Sequence, residues 1–170
     1  MPLPTSLLAA AVLTFSCACV VAVEVRFGSL QLDWPEGFTP SSSKPPFEMN
    51  GPSGEKVLVT VMRSGKEVTA ESAPAEQERM AQGGEGFLRK QGEKVGKVVI
   101  PLTRSSLPNG SLLMFTGSET AGLFSSGYFL QYMIVSPAGR LAFFTIEGKG
   151  SPEEQNARFL PVINTATWLP

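Results

Sequence analysis

Alternation of apolar and polar residues constrains this fold more than any other feature of the sequence. The segment 23–27 places valine or phenylalanine at every second position, and 30–34 does the same with leucine and tryptophan. A third run, 56–62, has valine at every second position. Successive side chains of a β-strand point to opposite faces, so this spacing predicts strands with one buried face.

Turn signals divide the second half of the chain into two predicted hairpins. Pro108-Asn109-Gly110 and Ser136-Pro137-Ala138-Gly139 form the turns, and Asn-Gly is a strong hairpin signal. The expected strands are 97–103 and 111–118 in the first hairpin and 128–135 and 140–147 in the second. Phe47 and Met49 form a short arm that precedes the strand 56–62. The composition of 35–46, PEGFTPSSSKPP, predicts a loop.

The first helical pattern runs from Pro74 to about Gln91. Proline suits the first turn of a helix, and Gly92 is expected to end it. Met80, Gly84, Phe87 and Leu88 share one face in this pattern. We expect Phe87 to anchor the helix, so that truncation to alanine costs about 3–5 kcal/mol. Glycine on the buried face is expected to let the helix approach a sheet closely.

The second helical pattern has a clear beginning. Ser151-Pro152-Glu153-Glu154 has serine as N-cap, proline in the first turn and glutamate three residues after the cap. Apolar residues then recur at helical spacing, and Pro161 is expected to kink the helix. Trp168 is expected to hold the C-terminal end against the sheet.

These elements together predict an α+β fold. An antiparallel sheet of about six strands flanked by two helices buries the apolar faces economically. The chain has 170 residues, which indicates a single domain, here residues 23–170.

The N-terminal segment predicts export. The stretch from Leu7 to Val23 carries no charge, and small residues before position 23 permit cleavage after Ala22. Residues 1–22 are therefore predicted to be a signal peptide, which would place the protein in the periplasm or outside the cell. An uncleaved membrane anchor and a misassigned start are the alternatives. Neither Cys17 nor Cys19 has the preceding residues typical of a lipoprotein.

The residue inventory argues against several kinds of chemistry. The chain has no histidine, its only aspartate is Asp33, and both cysteines precede the predicted cleavage point. Zinc and redox-metal sites normally draw on histidine and cysteine. Catalytic triads of the Ser-His-Asp and Cys-His kinds need histidine. We therefore predict no catalytic residues, no metal site and no cofactor. The net charge of −1 gives no electrostatic reason to expect a nucleic-acid partner.

Serine, lysine and glutamate are the remaining candidates for catalysis. Lys149 and Ser151 are close in sequence, but the capping pattern explains Ser151 better than a catalytic dyad. Glu153 and Glu154 lie in a first helical turn, where acidic residues complement the helix dipole.

Four aromatic residues are candidates for contact with a partner. Phe38 and Phe124 lie in a Pro/Ser-rich loop and a Gly/Ser-rich connector, outside the periodic segments. Tyr128 and Tyr132 share one face of a predicted strand. Exposed aromatic side chains often anchor interfaces. The alternative is that the phenylalanines cover an edge of the core and the tyrosines pack within the sheet.

The order of these elements resembles the Mog1/PsbP-like α/β sandwich, which includes DcrB-type bacterial exported proteins. The similar segments are 30–38 (LQLDWPEGF), 57–61 (VLVTV), 141–146 (LAFFTI) and the final helix after Pro152. The resemblance implies a non-catalytic binding or accessory role outside the cytoplasm. No ligand residue of the family has an evident equivalent in this sequence.

Three functions follow as expectations. The first is a periplasmic binding or accessory module for a protein partner. The second is an immunity protein that neutralises a secreted toxin, since some small exported proteins of this general shape do so. The third is a hydrolase that uses serine, lysine or glutamate, and the residue inventory disfavours it.

Overall fold

The computed structural model describes residues 22–121 and 126–170. Most of the predicted signal peptide, 1–22, lies outside the described residues, and Ala22 begins the first strand. Phe124 also lies outside them.

Ten strands and two helices make up the described chain, in the order β1 (Ala22–Phe27), β2 (Leu30–Pro35), β3 (Thr39–Ser42), β4 (Phe47–Asn50), β5 (Lys56–Arg63), α1 (Ala73–Val95), β6 (Lys97–Ser106), β7 (Leu112–Ala121), β8 (Ser126–Val135), β9 (Arg140–Lys149), α2 (Pro152–Asn164) and β10 (Thr167–Trp168). A seven-stranded sheet has the order β3-β4-β5-β9-β8-β7-β6, and a three-stranded sheet has the order β1-β2-β10. All strand pairs described are antiparallel. The predicted α+β class with two helices is confirmed.

Two of the strands were not predicted. β3 lies inside the segment expected to be a loop and pairs with β4. Its sequence, Thr39-Pro40-Ser41-Ser42, has no apolar alternation that would have revealed it. β10 is only two residues long and pairs with β2, which places Trp168 beside Leu30.

The predicted hairpins of the second half are present with the expected turns. β6 pairs with β7 around Gly110, whose φ of 77° requires the left-handed conformation that glycine adopts readily. β8 pairs with β9 along its length, and Ser136 N–H donates to the Arg140 carbonyl at 2.8 Å to close the turn.

The two faces of the large sheet carry separate cores. One face packs against the small sheet and α2, with Trp34, Phe144 and Phe159 among its buried residues. The opposite face packs against α1 through Ala81 and Leu88, which meet Met114 and Met133.

Helix α1 differs from the prediction at its end and on its buried face. It continues through Gly92 to Val95, because Gly92 packs against the sheet, where Ser118 Oγ donates to its carbonyl at 2.9 Å. Gly84 packs directly on Met133, as expected of glycine on the buried face. The prediction that Phe87 anchors the helix is wrong: its neighbour Leu88 is fully buried, and Phe87 is 46% exposed.

Helix α2 begins at the predicted cap. Ser151 Oγ accepts a hydrogen bond from Glu154 N–H at 3.3 Å, and Pro152 occupies the first turn. Pro161 lies within the helix, which continues to Asn164. Buried Phe159 and Ile163 face the core of the sandwich.

Candidate partner-binding groove

Helix α1 covers only part of its face of the large sheet. It packs on β6, β7 and β8, the three adjacent strands at one edge of the sheet. Over β5 and β9 the outward side chains are covered less completely: Leu58 and Met62 are exposed, whereas Leu141 is buried beside the helix.

Period-two alternation determines which side chains reach this uncovered face. Val59 of β5 and its cross-strand neighbour Phe144 of β9 point into the opposite core. Because successive side chains of a strand alternate between the two faces, the residues on either side of each point outward. The strand register groups the outward residues into cross-strand rows: Lys56–Glu147–Phe129, Leu58–Thr145–Gln131, Thr60–Phe143–Met133 and Met62–Leu141.

These rows form the floor of an elongated depression, which we call the α1 groove. It consists of two adjoining hollows of about 720 and about 280 Å³ that share Phe87 and Phe143. Its outward lining comprises Ser41, Glu48, Asn50, Lys56, Leu58, Thr60, Met62, Gly84, Phe87, Gln91, Phe129, Gln131, Met133, Leu141, Phe143, Thr145 and Glu147. Helix α1 supplies one wall, and residues of β3 and β4 lie at the other side.

The smaller hollow is apolar and its rim is exposed. Phe87 packs edge-on against Phe143, with ring centroids 5.0 Å apart. Phe87 is 46% exposed and Met62 50%, and Leu58, which lines the adjoining larger hollow, is 38% exposed. A contiguous group of large apolar side chains at a surface is typical of an interaction site, whereas isolated exposed residues are ordinary.

A buried polar group lies on the floor of the larger hollow. Gln131 is only 1% exposed, and its Oε1 has no hydrogen-bond partner among the described residues. Thr116, its cross-strand neighbour on β7, donates its hydroxyl hydrogen bond to the Ile100 carbonyl at 2.8 Å instead. Most buried side-chain polar atoms have a partner, so Gln131 Oε1 is an exception, and its burial closes it to a group that occupies the groove.

Charged side chains are concentrated at one end of the groove. Glu48, Lys56 and Glu147 line the larger hollow and are exposed, and the smaller hollow has no ionisable residue in its lining. The groove is therefore polar and charged at one end and apolar at the other.

Three of the four predicted contact residues, Phe38, Tyr128 and Tyr132, lie outside this groove; the fourth, Phe124, is not among the described residues. Tyr128 and Tyr132 are 1% and 0% exposed and belong to the core that faces α2. Tyr132 donates to Asn156 Oδ1 at 2.9 Å, and burial raises its pKa. Burial likewise raises the pKa of Tyr128 to about 12, so both hydroxyls stay protonated near neutral pH. These tyrosines serve packing, the alternative that the sequence left open.

Phe38 covers an edge of the core. Its ring lies edge-on to Trp34 at 5.6 Å and to Phe159 at 6.1 Å, and the Arg158 guanidinium lies 5.7 Å from its centroid. The same guanidinium donates to buried Glu55 at 2.7 Å. Burial raises the pKa of Glu55, but the hydrogen bonds from Arg158 and from backbone N–H groups outweigh it and lower the pKa overall. Phe38 is half-buried and forms no part of the α1 groove.

The described residues offer little for metal binding or catalysis. Residues 22–121 and 126–170 contain no group of three Asp, Glu, Cys or His side chains placed to hold a metal ion. Ser151 Oγ, the candidate nucleophile, donates to Glu153 Oε2 at 2.9 Å and accepts from Glu154 N–H, so its hydrogen bonds belong to the helix cap. Across the same residues, no helix combines the length and apolar character needed to cross a bilayer.

Sequence comparisons and structural comparisons give different results. No protein-family model matches the sequence, and a search of curated proteins finds no match. The fold, in contrast, matches several solved structures at low sequence identity.

Three solved structures match nearly the whole chain. Cyanobacterial PsbP from Synechocystis sp. PCC 6803 has a TM-score of 0.56 at 9% identity, covering 90% of this chain and 95% of that one. LpqN of Mycobacterium tuberculosis, described as involved in cell envelope biogenesis, has a TM-score of 0.53 at 12% identity over 87% and 90%. A point mutant of the protein Mog1 has a TM-score of 0.51 at 11% identity over 87% and 96%.

A fourth match is to a longer protein. A structure from Bacteroides thetaiotaomicron has a TM-score of 0.51 at 6% identity, and the chain spans 46% of its length. Together these comparisons show that the chain has the Mog1/PsbP-like fold. At such identities the likeness extends to the fold alone.

Proposed function

We propose that this chain is a non-catalytic binding protein that docks a protein partner in the α1 groove. The observation that carries the proposal is the incompletely covered part of the sheet face, where Leu58, Met62 and Phe87 are exposed along two adjoining hollows. Leaving such a surface in water costs free energy that a partner can recover by covering it.

The proposal includes export. Residues 1–22 act as a signal peptide and residues 23–170 form the single mature domain. Cleavage after Ala22 leaves β1 intact from Val23 to Phe27, with its register on β2 preserved. A fold shared with an LpqN protein involved in cell envelope biogenesis is consistent with this location.

Site-specific photo-crosslinking in the native host tests the proposal. A photoreactive amino acid replaces Phe87 or Met62 in the groove, and Glu93 in a matched control. Glu93 is exposed and lies on α1 about half a helical circumference from buried Gly84, at about 100° per residue.

The proposal predicts that the same protein is captured from positions 87 and 62 and not from 93. Substituting Leu58 with glutamate should abolish both adducts, because it places a charge on the apolar floor. Capture that is equal at all three positions, or absent from both groove positions, would contradict the proposal. A secreted toxin as the captured protein would identify the binding function as immunity.

A further inference from the structure

We infer that the occupant of the α1 groove is an extended peptide segment of the partner, with a bulky apolar side chain at one end and a Lys or Arg at the other. This inference rests on the proposed function and deepens it, because it specifies the chemistry of the segment that docks. Three features of the groove support it: its length, its apolar hollow and its charged end.

The length of the groove fits a short extended segment. Its floor follows β5 from Lys56 to Met62, and at about 3.3 Å per residue this distance is about 20 Å. A peptide in extended conformation advances by a similar distance per residue, so about six residues span the floor. Side chains of such a segment alternate, and every second one faces the groove.

The apolar end fits one large side chain. Met62, Phe87, Met133, Leu141 and Phe143 surround the hollow of about 280 Å³. Phenylalanine, leucine or methionine has the size and chemistry to occupy it. The two methionine side chains are flexible and can adapt to the shape of the occupant.

The charged end favours a cation. The carboxylates of Glu48 and Glu147 and one ammonium group, that of Lys56, line the larger hollow, so its net charge is −1. Within the part of the chain that the structure describes, neither carboxylate forms an ion pair within 4.0 Å. A Lys or Arg of the occupant at this end therefore meets acidic groups available for pairing.

A phage library of random peptides tests the inference. The peptides are about eight residues long, which exceeds the length of the groove floor. The target is the full domain, and enriched peptides are then measured in solution by fluorescence anisotropy. We expect them to share one Phe, Leu or Met and one Lys or Arg about four to six residues apart, the spacing set by the groove.

Variants of the domain give a specific pattern of losses. Phe87→Ala should weaken binding about 30-fold, as for an interface hot spot. Glu147→Gln should weaken it about twofold to fivefold and reduce its sensitivity to salt. Gly86→Ala, on the solvent side of α1, should leave affinity unchanged.

Three results would overturn the inference. Enrichment of no peptide is the first, and selected peptides that bind Phe87→Ala as tightly as the wild type are the second. The third is saturable binding of fluorescent palmitate that Phe87→Ala abolishes and the selected peptides do not displace, which would identify the groove as a lipid site. If photo-crosslinking still captures a protein from positions 87 and 62, the proposed function stands and only the extended-peptide inference fails.

Discussion

Truncation of two adjacent residues of α1 distinguishes the wall of the groove from the core. Leu88 is fully buried against the sheet, and Phe87 is 46% exposed and contacts Phe143 at the rim. Both side chains lie on the same helix, so an alanine at either position has a similar effect on the backbone. The pair therefore isolates the contribution of packing.

The expected costs follow from burial. Leu88→Ala should lower the free energy of unfolding by about 3 kcal/mol, a typical value for a fully buried leucine. A fully buried phenylalanine would lose about 3–5 kcal/mol, and the exposed half of Phe87 reduces this to about 2 kcal/mol. Alanine favours the helix over phenylalanine by about 0.5 kcal/mol, which leaves a net cost of about 1.5 kcal/mol.

Urea denaturation followed by far-ultraviolet circular dichroism measures both variants against the wild type. Equal slopes of unfolding free energy against urea would show that the two transitions expose similar surface, so that their free energies can be compared. If Phe87→Ala costs as much as Leu88→Ala or more, the Phe87 ring is part of the core. The groove would then lack its wall, and the reasoning would be refuted.

Four further predictions concern the same protein. Gly86→Ala should raise the free energy of unfolding by about 1 kcal/mol in a urea melt, because a methyl group there meets nothing within 4 Å and alanine is the better helix former. In contrast, Gly96→Ala should lower it by about 2 kcal/mol, because the added methyl group would collide with the Glu119 carbonyl. Hydrogen bonds from Arg79 and Ser64 lower the pKa of Glu76 to about 2, from 4.5, so the stability it contributes is present above pH 4.5 and is lost as the pH falls towards 2. Glu76→Gln should therefore flatten the fall in melting temperature between pH 5 and 2, and an unchanged fall would contradict the assignment. N-terminal sequencing of protein secreted by the native host should begin at Val23, and a chain that retains residues 1–22 would contradict cleavage.

Local rules predicted much of the fold. The alternation in 23–34 and 56–62 gave strands, Asn109-Gly110 gave a hairpin turn, and Ser151 gave the beginning of α2. Each of these signals depends on a few neighbouring residues, and the tertiary structure agrees with the local preference. β3 was missed because its pairing with β4 depends on the partner strand and not on any pattern of its own.

The buried stripe of α1 shows where local reasoning fails. Ala81, Gly84, Leu88 and Gly92 recur at helical spacing and are buried. Three of these four residues are small. Reasoning from hydrophobicity therefore selected Phe87, the large apolar residue next to the stripe, as the anchor of the helix. Close contact between α1 and the sheet selects small residues, and this contact becomes evident only in the tertiary structure.

The candidate site was hidden for a related reason. The alternation of side chains along β8 places Tyr128 and Tyr132 on one face and Phe129 and Gln131 on the other. This alternation does not reveal which face a helix leaves uncovered. The tyrosine face packs against the α2 side, and α1 covers only part of the other. Because the position of α1 across the sheet defines the groove, no short sequence motif could have located it.

The affinity of the captured partner for groove variants tests the central claim most directly. Isothermal titration of the purified partner should show at least about 30-fold weaker binding to Phe87→Ala than to the wild type. Gly86→Ala, one residue away on the solvent side of the same helix, should bind like the wild type. Equal affinity of all three proteins would contradict the claim that the partner docks in the α1 groove.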